Sequence, residues 1–207
     1  MRVGLLLFDQ VDLLDVGGPY EVFLTANRLA EREGTDAPFD VLTIAPTEAP
    51  LQAYGGLVMQ ASHTLNTAGA LDVLIVPGTI DIETAAAGEA LTAALQTLAR
   101  SADLLASVCT GAVLLARAGL LDDAGPATTH HEDVAVLAEI LGDRAITARW
   151  VDAGPIVTAG GLSSGLAMAL HLVDRLVDRN LALATAAQLA YAWDPDEGIV
   201  IDASLDG

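Results

Sequence analysis

The chain's single cysteine, Cys109, stands where a buried apolar run turns into a helix of small residues. The run is Leu104-Leu105-Ala106-Ser107-Val108, the bend Cys109-Thr110-Gly111, and the helix begins Ala112-Val113-Leu114-Leu115-Ala116. A thiol at such a bend lies beside the amides that open the helix, and those amides with the helix dipole favour the thiolate. The spacing has the form of a nucleophile elbow, with cysteine in place of serine and one glycine fewer. A free cysteine is also commonly a small buried hydrophobe; the strand end and Gly111 two residues on favour the reactive reading.

A nucleophile needs a proton partner. Asp15, in the loop Val11-Asp12-Leu13-Leu14-Asp15-Val16-Gly17-Gly18-Pro19 after the first strand, is the candidate general acid or base. A carboxyl group beside a thiol in a semi-buried pocket has a raised pKa and holds a proton near neutrality. Asp15 could instead cap the helix that Pro19 opens, or face solvent, and Glu21 is a rival better suited to a first-turn dipole partner. The turn Pro77-Gly78-Thr79 and the amides after Cys109 are the places expected to stabilise developing negative charge. His130 and His131 are adjacent, so one is expected to reach the pocket while the other packs or caps; His63 and His171 read as structural or exposed. A metal site built from His63, His130, His131 and scattered acids lacks any known ligand spacing, so no metal is expected.

These residues need a frame. Val3 to Phe8, Phe39 to Ala45, Leu71 to Val76 and Asp103 to Ser107 are continuous apolar runs, the pattern of strands covered on both faces. Helices are expected from Pro19 to Glu31, Ala85 to Arg100, Ala112 to Gly119 and Glu132 to Leu141; the stretch Gly160 to Gly165 starts another that runs to about Asp178, with Leu181 to Tyr191 a final helical turn or continuation. Leu57-Val58-Met59-Gln60 reads as a short strand of a hairpin, and Ala148 to Asp152 with Ile156 to Ala159 as two strands joined by a turn. Strand and helix alternate along the chain, so the fold class is α/β with a mainly parallel sheet. Residues 1–195 form one domain and 196–207 a tail. Ligands in such sheets bind beyond the carboxyl ends of the strands, where Asp15, Gly78-Thr79, Cys109-Thr110 and Thr129-His130-His131 all fall.

Composition narrows the function further. Of 207 residues, 28 are acidic and nine basic, giving a formal net charge of −19. All nine are arginine; there is no lysine. That balance argues against nucleic-acid and anionic-membrane partners. It suits a salt-rich cytoplasm, where screening removes self-repulsion, although a GC-rich genome would also exchange lysine for arginine. Met1-Arg2 leads straight into a strand without a signal-peptide pattern, and one cysteine forms no internal disulfide. No G-x-G-x-x-G or P-loop pattern occurs, which disfavours a dinucleotide or ATP cofactor.

In order along the chain, Phe8-Asp9-Gln10-Val11, Leu14-Asp15-Val16-Gly17-Gly18-Pro19-Tyr20-Glu21-Val22-Phe23, Ile75-Val76-Pro77-Gly78, Ser107-Val108-Cys109-Thr110-Gly111, Ala127-Thr128-Thr129-His130 and Thr158-Ala159-Gly160-Gly161 resemble the ThiJ/PfpI superfamily, whose fold is that of class I glutamine amidotransferases. The resemblance implies a flavodoxin-like three-layer sandwich, a homodimer and a nucleophilic cysteine at the elbow. It is nearest to the isonitrile hydratase branch and to the similar N-terminal domain of AraC-type regulators. From that branch it implies Cys109 as nucleophile, Asp15 as proton donor and acceptor, Thr110 and backbone amides as positioning groups, and no organic cofactor. Thr79 stands where a second glycine is usual, and His131 where an aromatic is. Protease and glyoxalase branches place histidine directly after the cysteine or use a glutamate near the first strand, and Thr110 and Asp15 fit neither. His130 nevertheless aligns with the histidine of the glyoxalase and deglycase branch, so a Cys-His thiol enzyme on dicarbonyls stays open, as does a redox-sensing member whose cysteine oxidises.

Overall fold

In the computed structural model, which describes residues 1–201, the apolar runs line up as one central sheet. Its strands are β1 (Arg2–Leu6), β2 (Asp40–Ala45), β5 (His63–Thr64), β6 (Leu71–Val76), β7 (Ala102–Val108), β8 (Trp150–Asp152), β9 (Ile156–Ala159) and β10 (Ile199–Val200). β3 (Leu51–Gln52) and β4 (Val58–Met59) form the expected small hairpin outside it. The sheet order is β10-β8-β9-β7-β6-β1-β2-β5. Every pairing from β5 across to β9 is parallel, and only β8 meets its neighbour β9 antiparallel. Chains of Val, Leu and Ile with both faces covered fill β1 and β6, which are buried almost throughout.

Helices cover both faces. α1 (Leu13–Arg32), α6 (Ser164–Leu176) and α7 (Arg179–Gln188) pack on one another on one side. α2 (Ile82–Ala87), α3 (Glu89–Ala99), α4 (Gly111–Arg117) and α5 (Val134–Leu141) make the other layer. The architecture is the α/β, mainly parallel class read from the alternation of runs, in the three layers that the family resemblance implies.

Three local expectations are corrected. The first helix does not wait for Pro19: Asp12 accepts a hydrogen bond from the Leu14 amide at 3.4 Å and caps α1 at Leu13, leaving Pro19 inside the helix. Pro19 has no N–H for the carbonyl of Asp15 four residues back, a cost that the long apolar face of α1 offsets. The helix expected over 85–100 starts at Ile82, where Asp81 caps it, and breaks at Gly88, which is extended. The segment read as a tail contributes β10, which joins β8, with the Ile201 amide donating to the Asp152 carbonyl at 2.8 Å; its remainder, 202–207, lies outside the described residues.

The strand order reverses between β1 and β6: after β1 the chain moves to β2 on one side, while β6 and β7 lie on the other. That reversal opens a crevice at the carboxyl ends of the strands. Across it, Asp12 N–H donates to the Gly78 carbonyl at 2.9 Å, and Val11 pairs with Thr79 as an isolated bridge. α4 is pressed so tightly against the end of β6 that a Cβ on Gly111 would overlap the Val76 carbonyl oxygen and sit 3.0 Å from that of Pro77. Backbone cannot yield as a side-chain end does. Gly111→Ala is therefore expected to cost about 2 kcal/mol or more, lowering Tm by roughly 4–8 °C for a chain of this size; an unchanged melting curve would disprove the close approach.

Candidate active site

Asp15 falls in the first turn of α1 and is fully buried, at 0% exposure. Its Oδ2 accepts from the Gly78 amide at 2.9 Å, while Oδ1 has no partner. A buried carboxylate with one empty oxygen is costly, and burial pushes the Asp15 pKa up to about 7, against the opposing pull of the Gly78 amide. The alternatives of a cap or a solvated acid are not what is observed: Asp12 is the cap. Glu21 is exposed on the outer face, accepting from the Thr25 hydroxyl at 3.3 Å.

Cys109 follows β7 directly, is 6% exposed and has φ +55°, a left-handed backbone that only glycine adopts freely. The sheet holds it there. Its amide is shared between the carbonyls of Ala159 (3.1 Å) and Gly160 (2.9 Å), and its own carbonyl accepts from the Thr129 hydroxyl at 2.8 Å. The bend is an elbow with about 1–3 kcal/mol of backbone strain. The thiolate, however, is not favoured as the helix-start argument expects. Burial first, then the Asp15 charge beside it, push the thiol pKa up to about 12, while the amides of Thr110 and Leu162 facing the sulfur pull it down less strongly. A helix of seven residues with an uncapped start does not overcome the desolvation of a buried anion.

The turn after β6 also differs from expectation. Gly78 N–H is taken by Asp15, and Thr79 N–H by the Thr110 hydroxyl at 2.8 Å. Thr110 in turn donates its hydroxyl proton to the Thr79 carbonyl at 2.7 Å, and the Thr79 hydroxyl donates to the Gln10 carbonyl at 2.8 Å. Gly78, Thr79 and Thr110 thus clamp the crevice together, and the amides left facing the sulfur are those of Thr110 and Leu162. A Cβ on Gly78 would lie 2.5 Å from Thr110 Oγ1 and 2.9 Å from Asp15 Oδ2. The Leu162 amide at the sulfur is not among the positions the sequence points to. Its signal was present in the Gly160-Gly161 bend after a strand, but nothing in the sequence aims that amide at Cys109.

His130 lies flat over Gly161, where a Cβ would be 2.6 Å from its Cδ2. Its Nδ1 accepts from the Glu132 amide at 3.4 Å and lies 3.5 Å from Asp133. His131 is tilted against it, ring centroids 4.3 Å apart, so the two adjacent rings share one cleft instead of facing opposite ways. That cleft, about 640 Å³, is lined by Leu14, Thr129 and Leu162, the immediate neighbours of Asp15 and Cys109. An apolar cavity of about 460 Å³ lies beyond Thr79 and Gln10, and neither Asp15 nor Cys109 lines it. His171 is buried elsewhere, its Nε2 2.7 Å from Asp152 and its ring stacked on Trp150, and His63 sits on edge strand β5. Among the described residues no cluster of three metal-ligating side chains occurs.

A buried acid beside a strained cysteine at a sheet crevice invites comparison with known proteins. Residues 1–175 match the DJ-1/PfpI family model. The chain belongs to the DJ-1/PfpI family. It is 31% identical over 195 residues to the isonitrile hydratase of Pseudomonas putida, covering 94% of this chain and 80% of that protein. It is also 31% identical over 191 residues to the HTH-type transcriptional regulator GbdR of Pseudomonas aeruginosa, where it spans about half (50%) of the regulator's length. The crystal structure of a ThiJ/PfpI family protein from Pseudomonas syringae superposes with a TM-score of 0.80 at 26% identity, covering 94% of this chain and 76% of that one. The relatives thus include both an enzyme and an HTH-type transcriptional regulator, a class that the net charge of −19 by itself argues against. No described helix is long and apolar enough to cross a membrane.

For this DJ-1/PfpI chain the Asp15 carboxyl has a consequence for stability. Between its ordinary value of 3.8 and about 7, the folded protein keeps a proton that the unfolded chain has released. Stability therefore falls as pH rises through that window and is level above it. Asp15→Asn keeps an acceptor for Gly78 but has nothing to titrate. Wild type is expected to lose on the order of 4 kcal/mol relative to Asp15→Asn between pH 4 and pH 8, measured by denaturant unfolding at each pH. A gap that does not change with pH would show that Asp15 is not the strained acid.

Proposed function

We propose that the protein hydrates an isonitrile to an N-substituted formamide, with Cys109 as nucleophile and Asp15 as the group that carries the proton. The observation that supports this reading is the Asp15 carboxyl, buried with Oδ1 unpartnered and titrating near neutrality beside the only thiol. Together the two groups hold two protons below about pH 7 and one above it, up to about 12. The one-proton pair is the reactive form. It is a thiol next to a carboxylate, interchangeable with a thiolate next to a carboxylic acid.

Sulfur attacks the terminal carbon of R–NC, forming the S–C bond, and the single proton passes through Asp15 to that carbon. The product of this step is the thioimidate R–N=CH–S–Cys109. Asp15, now a carboxylate, takes a proton from water as its oxygen adds to the same carbon, and the nitrogen gains that proton. Collapse expels the Cys109 sulfur, the hydroxyl proton returns to the thiol–carboxylate pair, and R–NH–CHO leaves. The sum is isonitrile plus one water. The Thr110 and Leu162 amides serve the sulfur as it gains and loses charge. Thr110 acts on the Thr79 turn in this scheme, since its hydroxyl proton is committed there. A cysteine–histidine reaction on dicarbonyls has no comparable support, because His130 turns its Nδ1 to Glu132 and Asp133.

The acid-rich, lysine-free surface is read as an adaptation to salt, and the working unit as a homodimer, as the family resemblance implies. Formamide production is expected from wild type in dilute and molar salt and to fall by at least about a thousandfold in Cys109→Ala and Asp15→Asn with the fold retained, since loss of a nucleophile or its proton carrier typically costs this much or more. kcat/KM is expected to rise with pH through a value near 7 and then to plateau. An inert wild type at both salt levels rules the reaction out.

A further inference from the structure

The cleft beside Cys109 differs in charge from the rest of the molecule. The chain carries 28 acidic residues against nine arginines, yet no acidic side chain is among the described residues lining this cleft. What lines it instead is Arg149 with the imidazoles of His130 and His131, together with Ser163 at the start of α6. The first amides of α6 are taken by the turn before it, Ser164 N–H by the Gly161 carbonyl at 2.8 Å and Gly165 N–H by that of Leu162 at 3.1 Å, so the positive character of the cleft comes from its side chains. With about 640 Å³, the cleft has the capacity of an ordinary small-molecule site.

Arg149 is held in place from behind. Its Nε lies 3.2 Å from Glu197, its Nη2 donates to the Tyr191 hydroxyl, and that hydroxyl donates to the Ser163 carbonyl at 3.2 Å. Among the described residues its Nη1 has no hydrogen-bond partner. Burial raises the pKa of the Glu197 carboxyl, while the Arg149 charge beside it opposes the rise. His130 is positioned in the same manner: Nδ1 accepts from the Glu132 amide, which leaves Nε2 as the donor, and Gly161 makes room for the ring. Glu197 lies beside Arg149, and Glu132 and Asp133 beside His130; none of the three is among the residues lining the cleft.

We propose that this cleft receives a carboxylate on the substrate, so that the protein's isonitriles are isocyano carboxylates and its products N-formyl amino acids. The inference rests on the hydration proposed above and extends it to the R group. One guanidinium flanked by imidazole N–H groups matches a monoanion. Cys109 does not itself line the cleft but adjoins it through two residues that do: Leu162, whose amide faces the sulfur, and Thr129, whose hydroxyl donates to the Cys109 carbonyl. In the proposed complex the ligand's carbon reaches the sulfur past them while its anion rests at Arg149.

The test compares an anion with its neutral isostere at one fixed ionic strength. Isocyanoacetate is expected to show at least about a tenfold higher kcat/KM than methyl isocyanoacetate, the usual advantage of a charge-assisted hydrogen bond. Arg149→Gln is expected to bring that ratio towards one, and Glu197→Gln, which removes the counter-charge, to raise it. A second arm needs no turnover: calorimetric binding of N-formylglycine and its methyl ester to Cys109→Ala. Tighter binding of the acid, weakened when Arg149→Gln is added, supports the anion site even if neither isonitrile reacts, in which case only the hydration reading falls. Equal or weaker binding of the acid, or a wild-type ratio at or below one, overturns the proposal, and neither result depends on how well a variant at Arg149 folds.

Discussion

The structure turns on a carboxyl group that has been taken out of water and given half of its hydrogen bonds. Asp15 is fully buried, one oxygen bonded to the Gly78 amide and the other to nothing. Such a group is unstable as an anion and survives because three chain segments enclose it together. The first turn of α1 carries it, the turn after β6 binds it, and the elbow after β7 places a thiol against it. The enclosure sets the pKa of both groups, and it does so mainly through burial, not through the helix start.

The same closeness explains the polar network around the pair. Thr110 ties the Thr79 backbone to the start of α4 from both its amide and its carbonyl side. Gly111 and Gly78 are the points where backbone meets backbone or carboxylate with no room for a methyl group. The strained φ of Cys109 persists because Ala159, Gly160 and Thr129 hold its amide and carbonyl. Strain, desolvation and an unpaired oxygen gathered at one point are what a reactive site costs a fold. The rest of the sheet, built of Val, Leu and Ile buried on both faces, is the stable part that carries them.

Membership of the DJ-1/PfpI family agrees with that division of labour. The shared sheet supplies a crevice and an elbow, and relatives use it both in an enzyme and in regulators. Around the elbow of this chain lie a cleft with no acidic side chain in its lining, on a strongly acidic protein, and a second, apolar cavity; Asp15 and Cys109 adjoin the first through Leu14, Thr129 and Leu162.

Much of this was legible in the sequence. Apolar runs of strand length alternating with small-residue helices are enough to specify a covered parallel sheet, because each run has too few polar residues to face water. Cys109 was legible as the chain's single cysteine, set between an apolar run and a helix of small residues, and Asp15 by its place after the first strand and its chemical fit to a thiol. Helix ends were read less well: α1 starts at Asp12 because its side chain caps there, a local bond that outweighed the signal of Pro19. β10 was missed since two residues of strand carry no periodicity and are fixed only by pairing with β8. The thiol's raised pKa, the loss of the Gly78 and Thr79 amides to Asp15 and Thr110, the Leu162 amide at the sulfur and the place of Arg149 were decided by tertiary structure alone. Each depends on distances between segments tens of residues apart, and burial and hydrogen-bond direction arise only when those segments meet.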